Sequence, residues 1–335
     1  VRSKNGKAKT GLNRIIDNLK YSQEWKEEFR SRIVPVIGDL SLKYFGLDET
    51  IFDFYSKQMD YIFHCAAIVN YVYPYKLIKS AIVGGTHEII RLACQSKVKP
   101  LHYLSTNGIF PTKDNEKYLE YCDIDSFGEL LNTGYNLGKW VAEKLVHEAK
   151  LRGLPVCIYR PGNIGHHSQT GIANQNDFQY MILDACRKIE CAPNCKNYFF
   201  ETTPVDFLVK AITTFAKSNK HLNKVYNVVE KPVSTNLIFA ILEKLNWVKN
   251  YNSLEGWITE LYKKSKQNND NSLNVLAQTM ESFKPYFSIK ITYDCSNFEE
   301  AISQNKIKRP VINNEYFEKL VTWQKQRDQN IRNTA

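Results

Sequence analysis

Short apolar runs alternate with longer amphipathic stretches along the first half of this chain, and this alternation limits the possible folds more than any other feature. The short runs have the length of buried strands, whereas the intervening stretches repeat apolar residues at helical spacing. Strands and helices that alternate in units of about thirty residues predict an α/β, doubly wound parallel sheet of the Rossmann type. The predicted strands cover residues 33–37, 60–67, 100–105 and 155–159, and the predicted helices cover 12–20, 77–95 and 135–151.

The alternation weakens after residue 165, although the sequence still predicts a helix over 206–216 and a strand over 225–229. From about residue 234 onward the chain is helical and polar. We therefore predict a Rossmann-type domain from residues 1–165 and 200–229. A smaller, mostly helical region from residues 166–199 and 230–335 would hold the substrate. The Asn-rich stretch 267–272 is typical of an exposed loop.

Composition excludes several function classes. The eight cysteines are scattered, and without a second close pair beside Cys191 and Cys195 we expect no disulfide framework and no metal site. The formal charge of +10 comes from lysines spread over the whole length, which favours a solvated basic surface over nucleic-acid binding.

No apolar run approaches the ~20 residues that span a bilayer, and residues 1–14 lack the apolar core of a signal peptide. We expect a cytoplasmic protein with no membrane segment.

Thr106, Tyr135 and Lys139 form the strongest catalytic constellation in the sequence. A tyrosine and a lysine four residues apart share one face of a helix, so the ammonium could lower the pKa of the phenol from its usual value of about 10. A phenol tuned in this way can donate its proton to a carbonyl oxygen. The Thr106 hydroxyl, at the end of a predicted strand, can hold the same oxygen.

Spacing alone does not establish this role. The chain contains Tyr-x-x-x-Lys four times, beginning at Tyr75, Tyr135, Tyr262 and Tyr286. Only the copy at Tyr135 opens a long predicted helix after a strand that ends Ser-Thr. An ordinary surface tyrosine at a helix start remains the alternative.

Seven sequence blocks together resemble a known protein family in their order, their spacing and their length. The blocks are Gly38-Asp39-Leu40, HCAAIVN (64–70), YLST (103–106), GYNLGKWVAEKLV (134–146), GLPVCIYRPGNIGHHSQTG (153–171), Asn176-Asp177 and TPVDFLVKAI (203–212). They span residues 34–229 and resemble the extended short-chain dehydrogenases and reductases. Within that group they are most similar to the thioester reductase domains that end polyketide synthases, non-ribosomal peptide synthetases and carboxylic acid reductases.

The resemblance implies a role for each matching residue. Thr106 and Tyr135 would hydrogen-bond a thioester carbonyl, with Tyr135 as proton donor. Lys139 would bind the nicotinamide ribose and lower the Tyr135 pKa. Arginines would bind the 2′-phosphate of NADP, since a guanidinium suits a phosphate. The implied cofactor contacts are Arg2 and Arg14 at the 2′-phosphate, Asp39 and Leu40 near the adenine, Ala66 and Ala67 along the channel, and Pro161, Gly162 and Ile164 beside the nicotinamide, together with Tyr135 and Lys139.

The sequence departs from the family pattern in three places. The family opens with a strand and a Gly-x-x-Gly-x-x-Gly loop that binds the pyrophosphate. Neither occurs in residues 1–335, so we expect the first strand of the fold to be missing. Ile82 stands where relatives usually carry an asparagine, which argues against a proton relay through that helix. Gly138 replaces the serine that commonly precedes the catalytic lysine.

The implied activity is NADPH-dependent reduction of an acyl thioester to an aldehyde, with a further reduction to the alcohol left open. The partner would be an acyl or peptidyl carrier protein with a phosphopantetheine arm. Such carriers are typically acidic, so the charge of +10 would favour docking.

Three alternatives remain open. They are a fatty acyl-CoA reductase, a sugar epimerase or dehydratase of the same superfamily, and an inactive remnant without the glycine-rich loop. Thr106 and the GYNLGKW block favour a thioester reductase over an epimerase. We favour a fragment of an active multidomain enzyme over an inactive remnant.

Overall fold

The computed structural model describes residues 1, 8–194, 199–284 and 290–334. The strands are β1 Ile62–His64, β2 Leu101–Leu104, β3 Glu116–Tyr118, β4 Val156–Pro161, β5 Ile164–Gly165, β6 Cys191–Asn194, β7 Phe199–Phe200, β8 Thr203–Pro204, β9 Val225–Val228, β10 Val233–Ser234, β11 Asn250–Ser253 and β12 Ile291–Tyr293. The helices are α1 Ala8–Tyr21, α2 Glu49–Gln58, α3 Tyr75–Lys79, α4 Gly85–Cys94, α5 Gly134–Leu151, α6 Phe178–Ile189, α7 Val205–Phe215, α8 Thr235–Lys244, α9 Leu254–Asn268, α10 Asn271–Phe283, α11 Ser296–Gln304 and α12 Asn314–Thr334. A π-helical turn, Ser80–Gly84, joins α3 to α4.

Four parallel strands form the central sheet, in the order β1-β2-β4-β9. Leu101 of β2 pairs with Ile62 of β1 on one side and with Val156 of β4 on the other. Ile158 of β4 pairs with Val225 of β9. Parallel neighbours need a crossover that carries a helix, and each connection in this sheet contains at least one. The predicted parallel sheet is confirmed.

Helices cover both faces of the sheet, as a doubly wound fold requires. The layer of α3, α4 and α5 lies on one face, where Val146 shares a buried cluster with Leu101. On the other face, Phe215 of α7 and Phe298 of α11 share a cluster with Tyr226 of β9. Helix α11 falls within the predicted substrate region, but it packs on the sheet.

A third apolar core lies beside the sheet, among α6, α8, α9, α10 and α12. Trp257 is fully buried there, and its indole N–H donates to the backbone oxygen of Cys191 at 2.8 Å. This mostly helical part contains much of the predicted substrate region, whose boundaries stay a prediction. Among the described residues, no helix is long and apolar enough to cross a membrane.

The Asn-rich stretch forms a tight turn between two helices and not the longer loop that its composition predicts. Helix α9 continues to Asn268, and Asn269 takes a left-handed conformation with φ 51°. Asp270 then caps α10 by accepting a hydrogen bond from the Ser272 N–H at 2.9 Å. Asparagine tolerates the left-handed region and aspartate is a preferred N-cap, so the same polar residues end one helix and start the next.

Residues 33–37 do not form the strand that their apolar sequence predicts. The amino group of Val1 donates to the backbone oxygen of Val36 at 2.5 Å, and the Gly38 N–H donates to the Val1 oxygen at 3.2 Å. These two bonds have the pattern of a parallel bridge that is one residue long. Among the described residues, no strand continues this bridge.

A fully buried ion pair joins α5 to β4. Arg160 donates to Glu143 Oε1 from Nε at 2.8 Å and from Nη2 at 2.6 Å, and neither side chain is exposed. The Ser105 hydroxyl, just after β2, donates to the other carboxylate oxygen. Burial alone would raise the Glu143 pKa, but the Arg160 charge and hydrogen bonds from His147 and Arg160 outweigh it and lower the pKa to about 2. The carboxylate therefore fixes α5 over two strand ends.

Arg160 also contacts the segment that holds α11. Its Nη1 donates to the backbone oxygen of Glu120 at 3.1 Å. The Glu120 carboxylate accepts backbone hydrogen bonds from Asn227 of β9 at 3.1 Å, and from Asn297 at 2.8 Å and Phe298 at 3.3 Å in the first turn of α11. A carboxylate is favourable at a helix start, although burial raises the Glu120 pKa to about 7. This chain of contacts ties α11 to the strand ends.

Glu143→Gln should lower the free energy of unfolding at pH 7 by about 3–5 kcal/mol, because it leaves Arg160 buried without a counter-charge. Urea denaturation measures the loss. The pKa of Glu143 is depressed in the folded state, so its contribution is complete above its ordinary value of 4.5 and is lost as the pH falls toward 2. The difference between the two proteins should therefore narrow below about pH 4.5.

Glu148→Gln is the matched control, since Glu148 lies on the same helix and its side chain is 58% exposed. This variant should change the free energy of unfolding by less than about 0.5 kcal/mol. Equal losses in the two variants would contradict the role assigned to the buried pair.

Candidate active site

Two strand ends and one helix start place three of the predicted site residues around one cavity. Thr106 follows β2, Gly162 follows β4, and Tyr135 lies in the first turn of α5. Helix α5 starts here because the Thr133 side chain accepts a hydrogen bond from the Asn136 N–H at 3.1 Å. The cavity volume is about 630 Å³. Its described lining residues are Tyr71, Thr106, Asn107, Gly108, Phe110, Tyr135, Asn136, Gly162, Asn163, Phe178, Glu201, Val229, Glu230, Lys231, Pro232, Phe283, Lys290, Ile291, Thr292, Tyr293, Cys295 and Glu299.

Thr106 and Tyr135 both line this cavity. Thr106 Oγ1 accepts a hydrogen bond from the Gly108 N–H at 3.1 Å, so its own O–H can donate to a ligand oxygen. Burial raises the pKa of Tyr135 to about 12. Burial sets the direction of this shift, and the Lys139 ammonium bonds to Tyr103 and Leu104. The lowering of the Tyr135 pKa by Lys139 stays a prediction. The phenol is protonated at neutral pH.

Lys139 is buried beside the end of β2. Its Nζ donates to the Tyr103 hydroxyl at 3.0 Å and to the Leu104 backbone oxygen at 2.7 Å. Burial lowers its pKa to about 8, although the Glu143 carboxylate, one turn further along α5, acts in the opposite direction. An ammonium has three N–H donors, and these contacts use two. The third can serve a ligand hydroxyl.

Glu201 is a cavity residue that the sequence patterns did not identify. Its Oε2 accepts from the Asn163 N–H at 2.7 Å, and its Oε1 accepts from the Glu230 N–H at 3.1 Å and from the Thr203 hydroxyl at 3.0 Å. Burial raises its pKa to about 7 in spite of these donors. A Cβ added to Gly162 would lie 1.8 Å from Glu201 Oε2. The position of an acidic residue just before the matched block 203–212 is the sequence signal that could have identified Glu201.

Comparisons with known proteins identify the family of this chain. A family model described as "Male sterility protein" (NAD_binding_4) matches residues 1–212. The chain belongs to this family. The crystal structure of the terminal R domain from the myxalamid PKS-NRPS pathway is 31% identical, with a TM-score of 0.91 over 98% of this chain and 83% of that one. Within the family, the chain is a thioester reductase (R) domain of the type found in peptide and polyketide synthases.

Two further proteins that are similar to this chain are longer than it. One of the linear gramicidin synthase proteins of Brevibacillus parabrevis is 31% identical over 319 residues, which are 93% of this chain and 6% of that protein. A thiolation-reductase di-domain from an archaeal non-ribosomal peptide synthetase shares the fold, with a TM-score of 0.72 at 17% identity, over 98% of this chain and 69% of that one. The chain spans 6% and 32% of the length of two of the curated relatives that it matches.

The residues near Tyr135 fit the nicotinamide end of an NAD(P) cofactor. Lys139 is buried and does not line the cavity, although one of its three donors is left, and Gly162 lines the cavity with no side chain. Past β1, Ala66 is exposed and Ala67 is half-buried, and their contact with the cofactor stays a prediction. The two flanking predicted contacts have apolar side chains: Pro161 ends β4 and is buried, and Ile164 begins β5 and is half-buried.

The structure describes less of the predicted adenine end. Asp39 Oδ1 accepts hydrogen bonds from the N–H and the hydroxyl of Ser41, at 2.8 and 2.7 Å. Leu40 packs where a Cβ on Gly85 would lie, 2.9 Å from the Leu40 Cβ. Arg14 is exposed on α1, and Arg2 lies outside the described residues. The 2′-phosphate contact stays a prediction.

The two smaller departures from the family pattern meet in space. A Cβ on Gly138 would lie 3.5 and 3.6 Å from two side-chain carbons of Ile82. The larger apolar residue on one helix therefore faces the smaller residue on the other.

Among the described residues, no group of three or more His, Cys, Asp and Glu side chains could hold a metal ion.

Gly162→Ala should destabilise this R domain by about 1–3 kcal/mol, because the added methyl overlaps the Glu201 carboxylate. Gly84→Ala is the control: nothing lies within 4 Å of the added Cβ, and the residue is helical with φ −60°. That change should be neutral or stabilising by up to about 1 kcal/mol. Denaturant unfolding compares the variants.

The overlap with Glu201 can be isolated in a double-mutant cycle. In a Glu201→Ala background, the loss caused by Gly162→Ala should shrink, since the overlapping carboxylate is gone. An unchanged loss would show that the glycine is needed for another reason.

Proposed function

We propose that this R domain reduces an acyl thioester, carried on the phosphopantetheine arm of a carrier protein, to an aldehyde with NADPH. The observation that supports this most directly is the shared cavity of Thr106 and Tyr135, with the buried Lys139 on the same helix as Tyr135. Two O–H donors on one cavity can hold a single carbonyl oxygen. Such donors stabilise the negative charge that develops on that oxygen when the carbonyl is reduced.

The chain's own residues orient the carbonyl and supply a proton. Bound NADPH would supply the hydride to the carbonyl carbon. Thr106 and Tyr135 would donate hydrogen bonds to the carbonyl oxygen, and Tyr135 would transfer its proton as the negative charge develops. The resulting hemithioacetal then breaks its carbon–sulfur bond, and aldehyde and free thiol leave. Lys139, held by Tyr103 and Leu104, would orient the cofactor ribose and provide a positive charge nearby.

NADPH, and not NADH, is the cofactor we propose within this NAD(P)-binding family. The support is the pair of basic residues Arg14 and Arg2 near the amino terminus. A guanidinium binds a phosphate through two parallel hydrogen bonds. The ratio of kcat/KM for the two cofactors measures this preference.

A carrier domain is the partner we propose. A reductase fused to a thiolation domain exists among the structures that share this fold. The formal charge of +10 on this chain would speed the approach of an acidic carrier. A preference for free acyl-CoA over an acyl carrier would instead favour the fatty acyl-CoA reductase.

Tyr135→Phe should lower kcat by at least about 100-fold, because it removes the proton donor while keeping the ring. NADPH consumption with a pantetheine thioester measures this, and NADPH binding by fluorescence should be retained. Tyr262→Phe is the control, since it removes the hydroxyl from another Tyr-x-x-x-Lys pair outside the cavity. If the wild-type chain binds NADPH but reduces no thioester, the proposed reaction is wrong. If it folds without binding NADPH, the inactive remnant is favoured.

The kcat/KM for NADPH should fall about tenfold per pH unit above pH 8, because Lys139 loses its charge as the pH rises through its pKa of about 8. Lys139→Arg should remove this basic limb, since a guanidinium keeps its charge. A pH–rate profile of both proteins provides the measurement. An identical basic limb in the two proteins would assign it to another group.

A further inference from the structure

Three aromatic side chains form a compact cluster next to Tyr135. Tyr71 lies in the segment after β1, Phe178 begins α6 and Phe283 ends α10. We call these three residues the aromatic cluster. The Tyr71 ring lies 4.9 Å from Phe283 at 85° and 5.9 Å from Phe178 at 63°, and the two phenylalanine rings are 4.9 Å apart. All three line the cavity.

The cluster contacts the proposed proton donor directly. The Tyr71 ring centroid is 5.2 Å from that of Tyr135, and the planes meet at 76°. A carbonyl group bound at the Tyr135 hydroxyl would therefore have one of its two substituents near these rings. In a thioester, the two substituents are the acyl chain and the sulfur with its pantetheine arm.

The positions of the polar and apolar lining residues indicate on which side of the cavity each substituent would lie. The described lining includes two lysines, Lys231 and Lys290, and both are exposed to solvent. Phe178, in contrast, is only 7% exposed. The pantetheine arm carries two amides and a hydroxyl, which must enter from solvent and keep hydrogen bonds. The polar, open side of the cavity suits that arm, and the rings suit an apolar chain.

We propose that the aromatic cluster is the acyl subsite and that it selects apolar acyl chains over chains that carry a charge. This inference rests on the proposed thioester reduction. A carboxylate or an ammonium placed against the three rings would lose water without gaining an ionic partner from them. The Tyr71 ring also packs edge to face on both phenylalanine rings, which differs from an open box that surrounds a cation with ring faces.

The test compares acyl chains of similar length that differ at the far end. Pantetheine thioesters of hexanoate, of adipate with its free carboxylate, and of 6-aminohexanoate are assayed with NADPH. We expect kcat/KM for the hexanoyl thioester to exceed that of each charged analogue by about 10-fold or more. A charged chain that is reduced as well as the hexanoyl chain would overturn the proposal.

Phe283→Ala assigns the preference to the cluster. It should lower kcat/KM for the hexanoyl thioester about 10-fold or more and leave the charged analogues nearly unchanged. Phe54→Ala is the control, because Phe54 is 56% exposed on α2 and does not line the cavity. An equal loss for all three chains would indicate a merely structural role and overturn the proposal. If Phe283→Ala does not fold, Tyr71→Leu makes the same comparison.

A binding measurement separates this proposal from the reaction itself. Amide analogues of the three thioesters, with nitrogen in place of sulfur, cannot release a thiol, and their dissociation constants are measured by calorimetry. The hexanoyl amide should bind about 10-fold more tightly than the charged amides, and Phe283→Ala should abolish the difference. Equal affinities would overturn the acyl subsite. Selective binding without turnover of any thioester would uphold it and refute only the reduction.

Discussion

The buried ion pair between Glu143 and Arg160 is the interaction on which the rest of the site depends. Two charges are tolerated in a protein interior only when further hydrogen bonds satisfy them, and Ser105 provides one of these. Glu143 lies one helical turn after Lys139 and two turns after Tyr135. Holding its carboxylate therefore also sets the rotation of α5 about its own axis. Electrostatics as well as packing decide which face of the helix meets the strand ends.

Burial shifts the pKa values of Tyr135 and Lys139, both on α5, in opposite directions. It raises the pKa of Tyr135 to about 12 and lowers the pKa of Lys139 to about 8. Both shifts favour the neutral form of the group. In the proposed reaction, the phenol would give up its proton only when ligand contacts compensate the phenolate. The phenol thus keeps its proton until a ligand is in place, and Glu143 supports the remaining charge on Lys139.

Local patterns were sufficient to predict the sheet, α5 and the positions of Thr106 and Tyr135, because parallel strand ends and a helix start converge at one edge. Contacts over long distances in the sequence were not predictable. Glu201 and Phe283 reach the cavity from separate parts of the chain, and neither lies in a periodic pattern that marks it. Spacing also could not reveal that Lys139 would bond to Tyr103 and that burial would raise the Tyr135 pKa. Residues 33–37 have the composition of a strand, but a strand forms only where a neighbouring strand can pair with it through backbone hydrogen bonds.

The cavity draws its walls from residues between Tyr71 and Glu299, a span that extends well past the last strand of the sheet. During synthesis, the four sheet strands have all been made once β9 is complete at Val228. The final wall residues follow roughly 70 residues later, which at ~5–20 residues per second takes several seconds. A nascent chain can thus assemble its sheet before it has a closed ligand site. On the ribosome, the sheet can therefore form several seconds before the chain is able to bind a ligand.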